Sequence, residues 1–178
     1  DVVVDVSASM GPLGGRATAA RAAALAFAVA LVDGGRARLV WLRGGEPVVR
    51  VEGDDVGDLR EVLTALAAEV PAGATDFARA LPVLAAALPR GSRVVLVSDF
   101  LSTDGPELLG LVGTRARGGA LVHVRVPAVY APEPGTAFEA VDAETGARRL
   151  VRTTSASAAR VAARAGAHAQ RWARHALE

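Results

Sequence analysis

The chain has 178 residues, of which 51% are apolar and 22% are charged, and this composition predicts a single folded domain and excludes intrinsic disorder. Its lack of cysteine excludes disulfide bonds and thiolate metal sites. The net charge of +1, from 20 cationic residues that are all Arg and 19 acidic residues, gives no electrostatic basis for binding nucleic acid.

The apolar segments are too short to span a membrane. The longest unbroken apolar run covers residues 22–32, whereas a membrane-spanning helix needs roughly 18 such residues. We therefore expect this fragment to make no membrane contact. Because the chain opens at Asp1 without Met, directly before an apolar strand, we expect it to be part of a longer protein. The expected location is cytoplasmic, and the alternative is the soluble domain of a protein whose membrane anchor lies outside this fragment.

The N-terminal part of the chain predicts a buried strand, a long helix, a hairpin and a second helix. Residues 2–6 are apolar and β-branched almost throughout, which is typical of a central strand with both faces buried. Residues 16–32 are rich in Ala and favour a helix. Residues 38–42 and 48–51 predict two strands joined by a short turn, which only antiparallel neighbours allow. A second helix follows over residues 54–69, with acidic residues at its start.

The middle of the chain alternates between helix and strand. A loop at residues 71–76 precedes a helix over 77–88, a buried strand over 93–97, a helix from Gly105 to about residue 118, and a third buried strand over 121–126. Such alternation is typical of right-handed crossovers between parallel strands. The predicted fold is therefore α/β, a three-layer α/β/α arrangement around a mostly parallel, doubly wound sheet with one antiparallel edge strand.

The character of the sequence changes after Pro127. Residues 129–135 are Pro-rich and irregular, residues 138–141 and 148–151 predict a small hairpin, and residues 155–176 predict a helix with Val161, Ala165, His168 and Trp172 on one side. We therefore divide the chain into a core domain, residues 1–127, and a C-terminal extension, residues 128–178, that packs on or beside it.

Oxygen-bearing side chains follow the predicted strands, at the sheet edge where open α/β proteins build ligand sites. Asp5, Ser7 and Ser9 come at the end of the first buried strand. Thr75 lies in the 71–76 loop, and Asp99 follows the second buried strand. Carboxylates and hydroxyls are ligands for hard divalent cations. The sequence therefore predicts that three loops bind one cation, with Mg²⁺ as the expected ion and Mn²⁺ or Ca²⁺ as alternatives.

This pattern resembles the von Willebrand factor type A domain and its metal-ion-dependent adhesion site, which combines an Asp-x-Ser-x-Ser loop with a Thr loop and an Asp loop. The resemblance covers residues 1–126. It implies that the hydroxyls of Ser7, Ser9 and Thr75 approach the ion, while Asp5 and Asp99 bind it directly or through water.

Further motifs make the chain most similar to one bacterial branch, the domain of unknown function 58 family. These motifs are Asp5 to Met10, Gly73 to Asp76, Ser98 to Phe100, Pro132-Glu133 and Asp142-Ala143-Glu144-Thr145-Gly146. A departure is Val126-Pro127-Ala128, where the branch has an acidic residue near the strand end. The resemblance implies a companion of MoxR-type AAA+ ATPases in chaperone or complex-assembly systems.

The predicted ligand set favours binding over catalysis. With two carboxylates among five protein ligands, Mg²⁺ would keep one position open for an acidic side chain of a partner. We therefore expect a metal-ion-dependent protein–protein interaction module whose partner supplies a Glu or Asp, with a MoxR-type AAA+ ATPase as a candidate partner. A metal-independent scaffold domain is the alternative. A phosphoryl-transfer enzyme is less favoured because the second Asp of that class is Ser7 here, and the seven aromatic residues argue against a nucleic-acid-binding module.

Several of these polar residues also have a structural interpretation. Asp5, Ser7 and Ser9 could cap the following helix, and for Asp76 we favour the role of helix N-cap over metal ligation. The remaining candidates are interpreted as packing residues or solvated surface: Met10, Trp41 and His123 as packing, and Arg160, Arg164, Arg171 and Arg174 as a solvated basic face.

Overall fold

The computed structural model describes residues 1–102, 104–126 and 132–176. The strands are β1 (Val2–Asp5), β2 (Ala37–Arg43), β3 (Glu46–Gly53), β4 (Arg93–Ser98), β5 (Gly118–His123), β6 (Ala137–Val141) and β7 (Arg148–Arg152). The α-helices are α1 (Gly15–Val32), α2 (Leu59–Ala68), α3 (Phe77–Ala87), α4 (Leu109–Gly113) and α5 (Ser155–Ala176).

The main sheet has five strands in the order β3-β2-β1-β4-β5. Strand β1 pairs in parallel with β2 and β4, and β4 pairs in parallel with β5. Strand β3 runs antiparallel to β2 because only Gly44 and Gly45 separate the two. This order brings the carboxyl ends of β1 and β4 side by side, which is where the predicted site residues lie.

Alternating side chains of the sheet enter two separate cores, one on each face. Val2 and Val4 pack in a core with residues of α1 and α2. Val3 packs in a second core with residues of α3, α4 and α5. The predicted three-layer α/β/α arrangement, with its mostly parallel sheet and one antiparallel strand, is thereby confirmed.

Helix α1 forms one of the layers that cover the sheet. The expectation that every apolar segment is too short to span a membrane is corrected here, because the segment Pro12–Val32 is long and apolar enough to cross one by length and composition alone. In this fold its Phe27 and Leu31 are buried against the sheet, while Leu25 and Val29 are exposed. One face of α1 therefore belongs to the core, and the absence of membrane contact stays a prediction.

Two predicted elements are corrected around Gly118 and Gly119. The strand predicted at residues 121–126 is β5, Gly118–His123, so this glycine pair belongs to the strand. A Cβ atom on Gly119 would lie 2.8 Å from the carbonyl oxygen of Val94 in β4, so glycine permits a close approach between the strands. The helix predicted from Gly105 to about residue 118 is shorter, with one 3₁₀ turn at Pro106–Leu108 followed by α4.

The C-terminal region contains the predicted hairpin and helix. Strands β6 and β7 pair only with each other in the described part of the chain, and most of their side chains are exposed. Helix α5 enters the second core through Trp172, which is 2% exposed. The division at residue 127 stays a prediction, because residues 127–131 lie outside the described residues. These residues include part of the predicted irregular segment. They also include Pro127 and Ala128, two of the three residues where the sequence differs from the motif of the resembled family.

Candidate metal site

All five predicted metal ligands line one cleft at the carboxyl edge of the sheet. This cleft has a volume of about 590 Å³, and Asp5, Ser7, Ser9, Thr75 and Asp99 contribute to its wall. They come from three loops, one after β1, one before α3 and one after β4. Three segments that are distant in sequence thus supply oxygen atoms to a single concave surface.

Asp5 is the centre of the hydrogen-bond network in this cleft. Its side chain is buried, and its Oδ1 atom accepts hydrogen bonds from the Ser7 N–H at 2.9 Å and from the Thr75 hydroxyl at 2.7 Å. Its Oδ2 atom accepts a hydrogen bond from the Ser98 hydroxyl at 2.6 Å. One carboxylate therefore joins the loop after β1 and the loop before α3 to Ser98, the last residue of β4.

The two serines of the first loop lie next to each other. Ser7 Oγ and Ser9 Oγ are 3.0 Å apart and share a hydrogen bond. Ser7 is almost fully buried, whereas Ser9 is half-buried and its hydroxyl also interacts with the Asp99 carboxyl group. A hydroxyl that donates its proton keeps oxygen lone pairs, so these side chains remain able to approach a cation.

Backbone hydrogen bonds fix the loop that carries Thr75. The Ala8 N–H donates to the Gly73 carbonyl at 2.8 Å, which joins this loop to the loop after β1. On its other side the loop is joined to the β2–β3 turn, where the Gly44 N–H donates to the Ala74 carbonyl at 3.0 Å. Gly44 and Gly73 both have positive φ angles, of 60° and 69°, which explains glycine at these two turns.

Asp76, the residue after Thr75, is the N-cap of α3. Its carboxylate accepts a hydrogen bond from the Arg79 N–H at 3.0 Å. This geometry confirms the predicted capping role, and Asp76 is absent from the residues that line the cleft.

Asp99 is held in the cleft by its own loop. Its Oδ1 atom accepts a hydrogen bond from the Leu101 N–H at 3.1 Å, and its backbone N–H contacts the Met10 sulfur at 3.2 Å. Burial raises the pKa of the Asp99 carboxyl group above its ordinary value, and the nearby Asp5 carboxylate raises that pKa further. The hydrogen bonds from the Leu101 N–H and the Ser9 hydroxyl lower the pKa of Asp99, because they stabilise its ionised form.

Aromatic packing supports the Asp99 loop from the side of α5. Phe100 has a φ angle of 51°, and its ring packs against Phe77 at 6.1 Å and Trp172 at 4.8 Å between centroids. The imidazole of His168 on α5 hydrogen-bonds to the Phe100 carbonyl, and half-buried His123 packs edge-on against the Phe100 ring. Helix α5 therefore fixes the position of the residue that directly follows Asp99.

The donor chemistry of the cleft fits a hard divalent cation. Every predicted ligand offers oxygen, and the carboxyl groups of Asp5 and Asp99 lie close enough for the Asp5 charge to raise the pKa of Asp99. Within the described ranges, no group of three or more His, Cys, Asp or Glu side chains is placed to hold a metal ion. A cation here would therefore depend on the three hydroxyls as well as on the carboxylates.

A family model described as "Protein of unknown function DUF58" matches residues 2–173. The chain belongs to the DUF58 family. The match runs from β1 into α5, so it includes both the sheet and the C-terminal hairpin. No curated protein matched this DUF58 chain.

A solved structure shares the fold of this DUF58 chain. It is an aerotolerance-related membrane protein from Bacteroides fragilis NCTC 9343, crystallised with multiple mutations to serines. The two chains superpose with a TM-score of 0.54 at 17% sequence identity, over 93% of this chain and 86% of the other. At this identity the similarity shows a common fold.

Two features of the site in this DUF58 chain were not predicted. Ser98 hydrogen-bonds to Asp5, whereas the sequence pattern assigned it no role beyond the Ser98-Asp99-Phe100 motif. The tip of the β6–β7 hairpin, which we define as residues 142–147, also lines the cleft through Asp142, Ala143 and Glu144. The Asp-x-Glu-Thr-Gly pattern of this tip was visible in the sequence, but nothing in the sequence located it at the cleft.

Proposed function

We propose that this DUF58 chain is a metal-ion-dependent protein interaction module of the von Willebrand factor type A kind. The observation that carries the proposal is the convergence of Asp5, Ser7, Ser9, Thr75 and Asp99 on one cleft at the carboxyl edge of the sheet. These are the residues that match the adhesion-site pattern, and they come from three loops in the order that the pattern requires.

The residues support specific roles around a Mg²⁺ ion. The hydroxyls of Ser7, Ser9 and Thr75 would supply neutral oxygen ligands, and Asp5 and Asp99 would supply negative charge directly or through water. When bound, Mg²⁺ with few carboxylate ligands retains affinity for a further carboxylate. The partner that fits this chemistry presents an exposed Glu or Asp, and a MoxR-type AAA+ ATPase is the partner class that we propose from the family resemblance.

The electrostatics of the cleft also support cation binding. Burial and the neighbouring Asp5 carboxylate raise the pKa of Asp99, which means that the ionised form of Asp99 is destabilised when no cation is present. A divalent cation between these groups would favour the ionised form. Metal binding would therefore offset the electrostatic cost of ionising Asp99 beside Asp5.

A thermal-shift experiment tests metal binding. Mg²⁺ or Mn²⁺ should raise the melting temperature of the wild type, because a ligand that binds only the folded state stabilises that state. The variant Asp5→Asn should lose this shift. Asp76→Asn is the matched control, because Asp76 caps α3 outside the cleft, and it should keep the shift.

A pull-down experiment tests the partner class. The immobilised wild-type chain should retain a MoxR-type AAA+ ATPase in Mg²⁺ and release it in EDTA, and Asp5→Asn should fail to retain it. Retention that is indifferent to EDTA and to Asp5→Asn would instead favour a metal-independent scaffold. The site offers no observation that favours an enzymatic reaction, and we propose none.

A further inference from the structure

The cleft that holds the candidate metal ligands is partly covered by a segment from the C-terminal region. Val141, Asp142, Ala143 and Glu144 line this cleft together with the five predicted ligands. The β6–β7 hairpin thus brings two carboxyl groups toward the sheet edge from a segment that is more than 40 residues beyond Asp99 in sequence. The two carboxyl groups differ in what they do locally.

Asp142 stabilises the hairpin tip itself. Its Oδ1 atom accepts hydrogen bonds from the Glu144 N–H at 3.0 Å and the Thr145 N–H at 2.8 Å. These backbone hydrogen bonds, first that of Thr145, lower the pKa of Asp142 below its ordinary value. The turn ends at Gly146, whose φ angle of 71° favours glycine. The Asp142 carboxylate therefore stabilises the turn through its hydrogen bonds to the backbone.

Glu144 is different, because the turn uses its N–H and not its side chain. Among the described residues, no hydrogen bond or ion pair involves the Glu144 carboxylate, and this residue is exposed at the cleft. Partial desolvation raises the pKa of Glu144, and the carboxylates of Asp142, Asp5 and Asp99 raise it further. Glu144 is therefore close enough to the candidate metal ligands to be repelled by their negative charge.

The hairpin that carries Glu144 is only lightly attached to the rest of the domain. Its two strands pair with each other and have mostly exposed side chains. Its base is fixed by Thr153, whose hydroxyl hydrogen-bonds to the carbonyls of Glu133 and Thr136. A two-stranded hairpin has little stability of its own, so small movements of the tip over the cleft cost little free energy.

We propose that Glu144 is an internal ligand of the bound cation, which occupies the position that a partner's carboxylate would otherwise take. This inference rests on the proposed function. Among the described residues, Asp5, Asp99 and Glu144 do not form a three-carboxylate group placed to hold a metal ion. A divalent cation turns the repulsion of Glu144 into attraction, so the tip closes until the Glu144 carboxylate binds the ion directly. A partner must then displace the tip, which makes the hairpin a competitor for its binding site.

The test uses Mn²⁺ as the probe, with water-proton relaxation to count the water molecules on the bound ion and to measure its affinity. In Glu144→Gln the bound Mn²⁺ should carry about one more water than in the wild type, and its Kd should be about tenfold higher, as expected when a group in the ligand shell is lost. Acetate, as a minimal carboxylate, should displace the extra water in Glu144→Gln and should have little effect in the wild type.

Glu139→Gln is the matched control, because it removes the same charge from the same hairpin. Glu139 pairs with Arg148 across the strands at 3.2 Å and does not line the cleft. It should bind Mn²⁺ with the hydration and affinity of the wild type. Equal hydration and affinity in Glu144→Gln and Glu139→Gln would overturn the role of Glu144 while leaving the metal site intact. Failure of the wild type to bind Mn²⁺ at all would overturn the proposed function, and the internal ligand with it.

Discussion

Ser98 connects the candidate site to the stability of the fold, and its replacement by Ala gives a quantitative prediction. Ser98 is fully buried at the end of β4. Its hydroxyl donates to Asp5 Oδ2 at 2.6 Å and accepts a hydrogen bond from the Phe100 N–H at 2.8 Å. Ser98→Ala leaves both of these buried groups without this partner while it removes only one oxygen atom.

The expected loss of stability follows from the two hydrogen bonds. A hydrogen bond to a charged group contributes about 1.5–3 kcal/mol, and an unsatisfied buried N–H costs about 1–3 kcal/mol. The structure around residue 98 can relax in the variant, which makes the total loss smaller than the sum of these two contributions. We therefore expect the free energy of unfolding to fall by about 3 kcal/mol. In a domain of this size, that loss corresponds to a decrease in Tm of roughly 6–12 °C.

Urea denaturation of Ser98→Ala and Ser92→Ala provides the measurement. The Ser92 hydroxyl is also buried but has no hydrogen-bond partner among the described residues, so Ser92→Ala breaks no described hydrogen bond and should not lower the free energy of unfolding. The midpoint of Ser98→Ala should shift to lower urea with an unchanged m value. Equal midpoints for the two variants would refute the view that Ser98 holds Asp5 in place.

Three further predictions test separate parts of the structure. Burial and the Asp5 carboxylate raise the pKa of Asp99, so folding favours the protonated form and stability falls as pH rises from the unfolded pKa to the raised folded pKa. Asp99→Asn should therefore raise the Tm of the metal-free protein by a few degrees at pH 7, and melting at pH 3 should show no gain. Trp172→Ala should lower the free energy of unfolding, measured by chemical denaturation, by about 3–5 kcal/mol. Trp172→Phe should lower it much less, because the buried indole N–H that this change removes has no described hydrogen-bond partner. Gly119→Ala should lower the free energy of unfolding by about 1–3 kcal/mol, because the new Cβ atom would lie 2.8 Å from the Val94 carbonyl oxygen in β4. Gly118→Ala should leave the free energy of unfolding nearly unchanged in calorimetry, because its Cβ atom would meet no atom within 4 Å.

The positions of the metal-ligand candidates were predictable because the apolar strands are clear in the sequence. The runs at residues 2–6 and 93–97 identified two buried parallel strands, and both strands end at the same sheet edge. Asp5 is the last residue of β1 and Asp99 directly follows β4, so their proximity was a consequence of topology. Thr75 was also predicted, and its loop is held there by backbone hydrogen bonds at two turns where Gly44 and Gly73 have positive φ angles.

The remaining features depend on contacts that local patterns do not contain. The glycine pair at Gly118 and Gly119 was interpreted as a helix stop, because its close approach to β4 is visible only in three dimensions. The hairpin at residues 137–152 was predicted as an element, but its placement over the cleft depends on how the C-terminal region packs. Ser98 has a role that requires knowing where Asp5 lies, 93 residues away.

Calorimetric titration of Mn²⁺ into the wild type and into Ser9→Ala tests the central claim most directly. Ser9 is half-buried and hydrogen-bonds to Ser7 at 3.0 Å, so its loss should leave the fold intact. We predict one saturable Mn²⁺ site in the wild type that weakens about 10–100-fold in Ser9→Ala. A wild type that binds no Mn²⁺, or a Ser9→Ala variant that binds it with wild-type affinity, would contradict a metal site built from these loops.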